Sequence, residues 1–372
     1  MLKILGILLL IILAIILLGV ALIMLYVYTA PTFGSKPSRK KRKEYKEYDN
    51  FKRGKFTNIM PQFTVFETAE FVDDSIHPKE TRTPDFELPI VALTKGSFDR
   101  KPNAPRITWF GHSTLLVEME GKTILIDPMF GQAASPFITL GNQRFAPGLP
   151  LDIQDLPAID VVLMTHDHYD HLDYESILAI KDKVPQFFIP LGMHGHLRRW
   201  GVPAEKIKEF NWYEETYLGK IRLIFTPSHH YSGRSWRDRF LSLWGGWILQ
   251  SDNHNIYLSG DGGYGPHFAR IGEEFGPFDF AMMECGQYSK YWRQNHLFPE
   301  ESAKAGHDVG AAVMMPIHWA GFALAMHSWD DPVKRFLETA AKLEIPVTTP
   351  RIGEPIILDT TTPLPSSHWW ER

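Results

Sequence analysis

Cysteine is almost absent from this chain. Cys285 is the single cysteine among 372 residues, so no disulfide can form within the chain and no cysteine-rich zinc module is present. The sequence also lacks a G-x-S-x-G motif, the sharp turn that carries the nucleophilic serine of many hydrolases. Any metal bound by the chain must therefore be held by histidine and carboxylate side chains.

A broad excess of positive charge is absent as well. The formal net charge is −4, although residues 36–46 alone carry seven Lys/Arg and one Glu. The rest of the chain is therefore strongly acidic. Because an enzyme that acts on nucleic acid usually presents a basic face to the phosphates, we expect no nucleic-acid partner.

One long segment carries no charge at all. Residues 4–28 form an uncharged run of 25 residues. At 1.5 Å per residue a helix of this length is about 37 Å long, enough to cross a hydrocarbon core of about 30 Å. A cleaved signal peptide is the alternative, but its apolar core is only about 7–15 residues long. The run therefore favours a retained membrane anchor over residues 1–30, with Tyr26 and Tyr28 at the interface.

The stretch after the anchor is polar and rich in proline. Residues 31–104 combine the basic run with segments that show no sustained helical or alternating period. We predict a basic linker followed by an extended arm that lies on the main domain.

A regular pattern begins at Arg106 and continues to about residue 360. Short β-rich runs come first, and the apolar run 158–166 is typical of a buried strand with functional residues at its carboxyl end. Helical patterns then alternate with strands, near residues 173–183, 190–200, 300–309 and 331–343. The sequence predicts a layered α/β domain over 105–360 and a C-terminal tail over 361–372. Within the tail, Trp369 and Trp370 either pack on the domain or touch lipid headgroups.

The most unusual stretch is "HDHYDH", residues 166–171, with three histidines and two aspartates in six positions. A catalytic zinc takes imidazole and carboxylate ligands and keeps one position open for water. His166 and His168 project to the same side of an extended or turning backbone, which suits one ion. Asp170 and His171 are then left to face a second ion.

Three further candidate ligands follow apolar runs elsewhere in the chain. They are His230, Asp261 and His318, each preceding a polar or glycine-containing turn. Strand ends are where a sheet presents functional side chains at its edge. A single carboxylate can bridge two ions about 3.5–4 Å apart, and Asp261 is the candidate for that position.

The segment "THDHYDHLD" resembles the signature of the metallo-β-lactamase fold hydrolases. Other segments, among them "WFGHSTLLVEMEGKTILIDPMFG", "TPSHHYSGRS", "LSGDGGYGPHF" and "PIHWAGFALA", are similar to one branch of that family. This branch contains the phospholipase D that cleaves N-acyl-phosphatidylethanolamine, together with bacterial relatives. The resemblance covers about residues 106–354.

The resemblance implies a four-layer αβ/βα sandwich with two zinc ions in a cleft at its edge. Three histidines are implied as ligands of one ion, two histidines and an aspartate as ligands of the other, and a further aspartate as the bridge. The sets are His166, His168 and His230; then Asp170, His171 and His318; then Asp261. The chain departs from the lipase just before His296, where it is two residues shorter in a region that borders the substrate cleft.

Several other polar residues receive supporting roles or none. His112 is expected beside the metals rather than as a ligand, and Asp127 is expected to position its loop or to orient a ligand histidine. His296 is equally compatible with the cleft and with the surface. His194 and His196 are expected on an exposed helix.

Three functions are compatible with this reading. The first is a membrane-anchored phospholipase D-type phosphodiesterase acting on N-acyl-phosphatidylethanolamine or a related phospholipid, in which Asp170 and Asp261 orient a zinc-activated water. The second is a zinc hydrolase of a small soluble ester, lactone or phosphodiester. The third is a non-catalytic, metal-dependent scaffold at the membrane. Iron or manganese could replace zinc with the same ligands.

The charges that flank the anchor predict its orientation. Six Lys/Arg lie within residues 36–43, against Lys3 alone on the other side, so the positive-inside rule directs the large domain to the cytoplasm. Protease added to right-side-out spheroplasts is expected to leave the domain intact and to digest it after lysis. Digestion before lysis would contradict this orientation.

Overall fold

The computed structural model describes residues 2–61, 81–139 and 141–371. Residues 62–80 of the predicted arm lie outside the described residues. The helices are α1 (Leu2–Thr29), α2 (Arg39–Glu44), α3 (Tyr174–Ile180), α4 (His194–Arg199), α5 (His267–Phe275), α6 (Pro299–Asp308) and α7 (Asp331–Lys342). The strands are β1 (Phe51–Lys52), β2 (Lys55–Phe56), β3 (Arg106–Trp109), β4 (Leu115–Met119), β5 (Lys122–Ile126), β6 (Val161–Leu163), β7 (Phe187–Pro190), β8 (Ile207–Phe210), β9 (Glu215–Leu218), β10 (Ile221–Pro227), β11 (Gly245–Gln250), β12 (Asn255–Leu258), β13 (Phe280–Glu284), β14 (Met314–Ile317) and β15 (Pro355–Ile357).

In the described part of the chain, two large sheets make up the centre of the domain. The first has the order β15-β3-β4-β5-β6-β7-β8 and the second β14-β13-β12-β11-β10-β9, with β1 and β2 forming a separate hairpin. The pairs β5–β6, β6–β7 and β7–β8 are parallel, as are β12–β13 and β13–β14. The remaining pairs within the two sheets are antiparallel.

Both faces of each sheet are apolar, because each sheet is covered on both sides. Along β4, Leu115 and Val117 enter the core between the sheets, whereas Leu116 packs outward against α3 and α4. Along β10, Leu223 enters the central core and Ile224 packs outward against α5, α6 and α7. The layers are therefore helix, sheet, sheet and helix, which confirms the predicted αβ/βα sandwich.

Helix α3 begins where the sequence predicts it. The carboxylate of Asp173 accepts a hydrogen bond from the backbone N–H of Ser176 at 2.9 Å, so it caps the helix and satisfies one of the free amides of the first turn. This cap ends the loop 166–171 and fixes the direction in which the chain leaves it. Helices α4 and α7 also lie within the predicted ranges and α6 begins one residue before its range, whereas the sequence pattern did not indicate α5.

Strand direction brings the predicted ligands together. Strands β10, β12 and β14 run the same way in the second sheet, and their carboxyl ends precede His230, Asp261 and His318. In the first sheet, the carboxyl end of β6 precedes residues 166–171. Loops from both sheets therefore meet at one edge of the sandwich.

Helix α1 is a candidate membrane span. Within Lys3–Thr29, the most apolar window of 18 residues has a mean hydropathy of 3.5, and none of that window is buried against the rest of the protein. An apolar helix of 27 residues is long enough to cross a bilayer with some tilt. The N-terminal helix of the fold prediction is therefore present.

The N-terminal arm and the C-terminal tail both pack on the sandwich. Tyr45, Phe51 and Phe56 belong to the same buried cluster as the side chains that fill the space between the two sheets. At the other end of the chain, Trp369 and Trp370 are 8% and 2% exposed, and their rings lie 5.1 and 5.5 Å from the ring of Trp319. Of the two possibilities for the C-terminal tryptophans, the structure supports packing.

Candidate metal centre

All seven predicted ligands meet at the shared edge of the two sheets. Within the described residues, the donor atoms at this edge fall into five groups in which the atoms lie within 4.8 Å of one another, and three of these groups together contain all seven ligands. The three groups are His166, His168 and His230; then Asp170, His171 and His318 with His112; then His166, His171 and Asp261. The sequence-based prediction of a single site from four separate segments is therefore geometrically consistent.

The first group consists of three imidazoles. His166 Nε2 and His230 Nε2 lie 2.9 and 3.2 Å from His168 Nδ1. Burial lowers the pKa of His166 and His230 well below the ordinary value, and lowers that of His168 to about 4. The three rings are therefore neutral at physiological pH, with lone pairs available to a cation.

The second group is built around Asp170. Its Oδ2 lies 3.1 Å from His318 Nε2, 3.5 Å from His171 Nε2 and 2.9 Å from His112 Nε2. His112 therefore contacts a predicted ligand rather than standing apart from the centre. The backbone φ is +53° at His112 and +66° at His318, a left-handed conformation that costs free energy and is concentrated at functional sites.

Asp261 lies between the two groups. Its Oδ2 is 3.0 Å from His318 Nε2 and 3.2 Å from His171 Nε2, and also 3.8 Å from His166 Nε2 and 4.0 Å from His230 Nε2. One carboxylate oxygen is thus close to histidines of both groups. This is the arrangement expected of a bridging ligand in a two-metal site.

The buried carboxylates of the centre carry more negative charge than the surrounding side chains neutralise. Asp127, Asp170, Asp261 and Glu284 are all buried. Within the described residues, the charged-group contacts of these four carboxylates are with histidines alone. Buried carboxylates without a cation are costly, so divalent ions would supply charge that the protein does not.

The pKa values of two histidines reflect this excess. Burial alone would lower the pKa of His171 and of His318, but the surrounding carboxylates, Asp261 first among them, raise both well above the ordinary value. In addition, within the described residues, His168 Nε2 is buried without a hydrogen-bond partner, and His318 Nδ1 lies no closer than 3.5 Å to Glu284 Oε1. The donor set and its charge both fit a divalent metal centre.

A buried aspartate orients one of the predicted ligands. Asp127 Oδ2 accepts a hydrogen bond from His171 Nδ1 at 2.8 Å, and the Asp127 carboxylate also accepts from the backbone N–H and the hydroxyl of Thr165 at 2.8 and 2.6 Å. The contact fixes which His171 nitrogen carries the proton and leaves Nε2 free to bind a cation. The predicted role of Asp127 agrees with this contact, whereas Thr165 was not singled out from the sequence.

Asp167, although it lies inside the cluster, is directed away from the predicted ligands. Its carboxylate accepts hydrogen bonds from the backbone N–H of Gly233 at 2.7 Å and from the hydroxyl of Ser242, and it contacts His196 Nε2 at 3.3 Å. The expectation that His196 is exposed was wrong: its ring is buried because it faces Asp167.

Glu284 was not singled out from the sequence, and His296, left open between the cleft and the surface, lies beside it at the centre. Glu284 Oε1 lies 2.9 Å from His296 Nδ1, and Glu284 Oε2 accepts from the backbone N–H of Leu297 at 3.0 Å. His296 also lies 3.9 Å from Asp261 Oδ2. Glu284 ends β13 after an apolar run, so the strand-end rule that selected Asp261 would have found it.

A cleft of about 340 Å³ opens over the centre. Its floor includes His168, Asp170, Asp261, His296 and His318, and its walls include Ala134, Tyr169, Tyr231, Trp292 and Leu324. Four of the seven predicted ligands therefore line the cleft, whereas His166, His171 and His230 are buried beneath it. Polar groups at the floor and aromatic and aliphatic groups on the walls are typical of a ligand site.

Comparisons with known proteins agree with this geometry. Residues 122–319 match the beta-lactamase superfamily domain. The chain is 35% identical over 332 residues to an uncharacterized protein of Mycobacterium tuberculosis, covering 86% of this chain and 87% of that one. It is 32% identical over 259 residues to the N-acyl-phosphatidylethanolamine-hydrolyzing phospholipase D 1 of Caenorhabditis elegans, covering 66% of this chain and 72% of that one.

Among solved structures, a metallo hydrolase of the archaeon Ignicoccus hospitalis has a similar fold. The TM-score is 0.53 at 22% sequence identity, over 68% of this chain and 98% of that one. At this level of identity the likeness concerns the fold alone.

The contact between Asp127 and His171 predicts the effect of one substitution. In Asp127→Asn an amide N–H would face the His171 N–H, so the ring would lose its acceptor. We expect metal affinity to fall about 10- to 100-fold, measured by competition with a chromogenic chelator on the detergent-solubilised chain. Asp160→Asn is the matched control, because Asp160 pairs with Lys122 at 2.9 Å near the surface. Equal affinities in the two variants would contradict the orienting role of Asp127.

Proposed function

The chain belongs to the β-lactamase superfamily and is a metal-dependent hydrolase, and from this premise we propose that it is a membrane-anchored, zinc-dependent phospholipase D-type phosphodiesterase. The proposed substrate is N-acyl-phosphatidylethanolamine or a related phospholipid. The observation that carries the proposal is the position of Asp261 Oδ2, 3.0 Å from His318 and 4.0 Å from His230 at the floor of the cleft. A carboxylate shared between two groups of ligands suits two-metal phosphodiester hydrolysis.

Two zinc ions are proposed, with Asp261 as their common ligand. The first would be held by His166, His168 and His230, and the second by Asp170, His171 and His318. When bound, zinc lowers the pKa of a coordinated water towards about 7 and neutralises charge on the oxygens of a phosphate ester. The site therefore requires no serine or cysteine nucleophile.

Two carboxylates at the cleft floor are proposed to orient the attacking water. Asp170 and Asp261 both line the cleft and are held among histidines, so their oxygens are fixed as hydrogen-bond acceptors. Burial alone would raise the pKa of each carboxyl group, but the neighbouring histidines, His171 first, hold both well below the usual value. Both groups therefore remain ionised and able to accept.

His296 is proposed as the proton donor to the departing alkoxide. Its Nδ1 contacts Glu284 at 2.9 Å, so Nε2 is the nitrogen left to serve a substrate in the cleft. The contact with Glu284 would fix the orientation of the ring in the cleft. A histidine held by a buried carboxylate is a common arrangement for general acid catalysis.

A phospholipid substrate has two sources of support. The relative from Caenorhabditis elegans is named as a phospholipase D that hydrolyses N-acyl-phosphatidylethanolamine. In addition, the anchor α1 would hold the cleft near a bilayer. The predicted cytoplasmic orientation would direct the cleft to the inner leaflet.

The size of the cleft favours the second candidate, hydrolysis of a small soluble ester, lactone or phosphodiester. Its volume of about 340 Å³ lies near the lower end of the volumes of ligand sites.

The proposed reaction can be tested directly with lipids. The full chain, loaded with zinc, is incubated with micelles of N-acylated or ordinary phosphatidylethanolamine, and mass spectrometry follows phosphatidic acid. We expect phosphatidic acid from at least one lipid and, because Asp261 would both bridge the metals and orient water, a loss of roughly three orders of magnitude in Asp261→Asn. No product from either lipid, with two zinc ions bound, would favour the small-substrate candidate.

The role of His296 predicts a dependence on the leaving group. His296→Gln is expected to lower kcat about 100-fold on a phospholipid while metal content stays unchanged. The loss should shrink with a nitrophenyl phosphodiester, whose leaving group needs no proton. His307→Gln, at an exposed position of α6, is the control. An equal loss on both substrates would show that His296 does not act as the proton donor.

A further inference from the structure

The membrane helix is fixed to the hydrolase domain where it ends. The side chains of Arg199, Trp200 and Arg234 donate hydrogen bonds to backbone carbonyls within residues 29–34, at 2.6–3.3 Å. Three side chains of the domain therefore hold the first residues after α1. The connection is a docked segment rather than a free tether.

Close packing restricts this docked segment further. A side chain at Gly34 would place Cβ 1.9 Å from His196 Nδ1, and a side chain at Gly195 would place it 2.5 Å from the carbonyl oxygen of Ser35. Gly34 therefore lies against the His196 ring and Gly195 against the backbone of residues 35 and 36, each more closely than a side chain allows. The segment after the span and helix α4 thus interlock.

The last turns of α1 also contact a loop that lines the cleft. The ring of Tyr26 stacks on Phe137 at 5.3 Å, and its hydroxyl donates to the carbonyl of Pro136 at 3.3 Å. The same loop lines the cleft through Ala134. The mouth of the cleft is therefore one short loop away from the point where the span leaves the membrane.

Large apolar side chains on this face are exposed. Phe137 and Ile138 are 42% and 59% exposed, and Trp236 is 61% exposed. Trp236 precedes Arg237, whose guanidinium lies 3.5 Å from the ring centre of Tyr28. Because Tyr26 and Tyr28 lie at the end of the span, where aromatic rings favour the interface, the exposed residues are at a similar depth.

Positive charge lies beside these apolar residues. Lys36, Arg199 and Arg237 line a cavity of about 180 Å³ with Tyr28, opposed by the single acid Asp238. Apolar side chains beside cations match the boundary between acyl chains and lipid phosphates. A bilayer therefore fits this face in both polarity and charge.

We propose that Phe137, Ile138 and Trp236 form an interfacial rim that enters the headgroup layer of the membrane spanned by α1, so that the cleft faces the lipid surface. Together with the end of α1, the rim would fix the tilt of the domain. Membrane contact does not depend on the reaction, whereas entry of the lipid substrate from the leaflet rests on the proposed function.

The rim can be tested by placing a probe on it. Ile138→Cys and Trp236→Cys, in the full chain reconstituted in liposomes, are labelled with an environment-sensitive fluorophore, the native Cys285 being fully buried. We expect a blue shift of emission and quenching by lipids that carry a spin label near the headgroup. Either probe remaining unquenched would overturn the rim at that position.

A matched control lies at the far edge of the same fold. Tyr217 is 64% exposed and pairs with Arg222 on β10, about 16 Å along the strand from the carboxyl end at Pro227. A probe at Tyr217→Cys should remain in water. A different result would point to a contact between proteins. If the emission of a rim probe shifts in proportion to the protein density in the membrane but is not quenched by the labelled lipids, the lipid assignment is overturned.

Enzyme activity provides an independent test of the rim. The double variant Ile138→Ser/Trp236→Ser should raise KM for phospholipid in vesicles roughly tenfold and leave hydrolysis of a short-chain soluble phosphodiester unchanged. Equal KM values on vesicles would overturn a role for the rim in substrate entry. If the protein hydrolyses no lipid but the rim probes are still quenched, the proposed function is wrong and the rim is supported.

Discussion

Uncompensated negative charge at the edge between the two sheets is the constraint on which this structure depends. Four carboxylates are buried there, those of Asp127, Asp170, Asp261 and Glu284, and within the described chain their charged-group contacts are with histidines alone. Divalent cations would stabilise a cluster of this kind. The left-handed backbone at Asp127, His112 and His318 is a conformational cost at positions that lie in or beside the cluster.

Much of the fold and of the candidate site could be predicted, because both depend on patterns local in sequence. Apolar runs that end in polar residues predict strand ends, and strand ends of one sheet meet at one edge. His166, Asp261 and His318 were found in this way although they lie far apart in the chain. The resemblance to known hydrolases then supplied the pairing of ligands, which the spacing of residues alone leaves open.

What could not be predicted depends on partners distant in the chain. His194 and His196 occupy the same short helix, yet only His196 is buried, because Asp167 lies opposite it. His296 is equally compatible with the cleft and with the surface until Glu284 is placed beside it. Trp369 and Trp370 are compatible with a lipid contact until Trp319 is seen to cover them. In each case the group that decides burial lies on another element. Its distance along the chain is too large for a local sequence pattern to indicate the contact.

The docked segment connects the candidate membrane span to the loop of predicted ligands as well as to the cleft. The backbone N–H of Ser35 donates to His196 Nδ1 at 3.1 Å, and His196 Nε2 contacts Asp167 at 3.3 Å, between His166 and His168 in the chain. A displacement of the anchor would therefore be transmitted to the backbone that carries two predicted ligands. A flexible tether would only raise the local concentration of enzyme at a bilayer. A docked anchor also restricts orientation, and orientation decides whether a phosphate at the lipid surface can reach the floor of a narrow cleft.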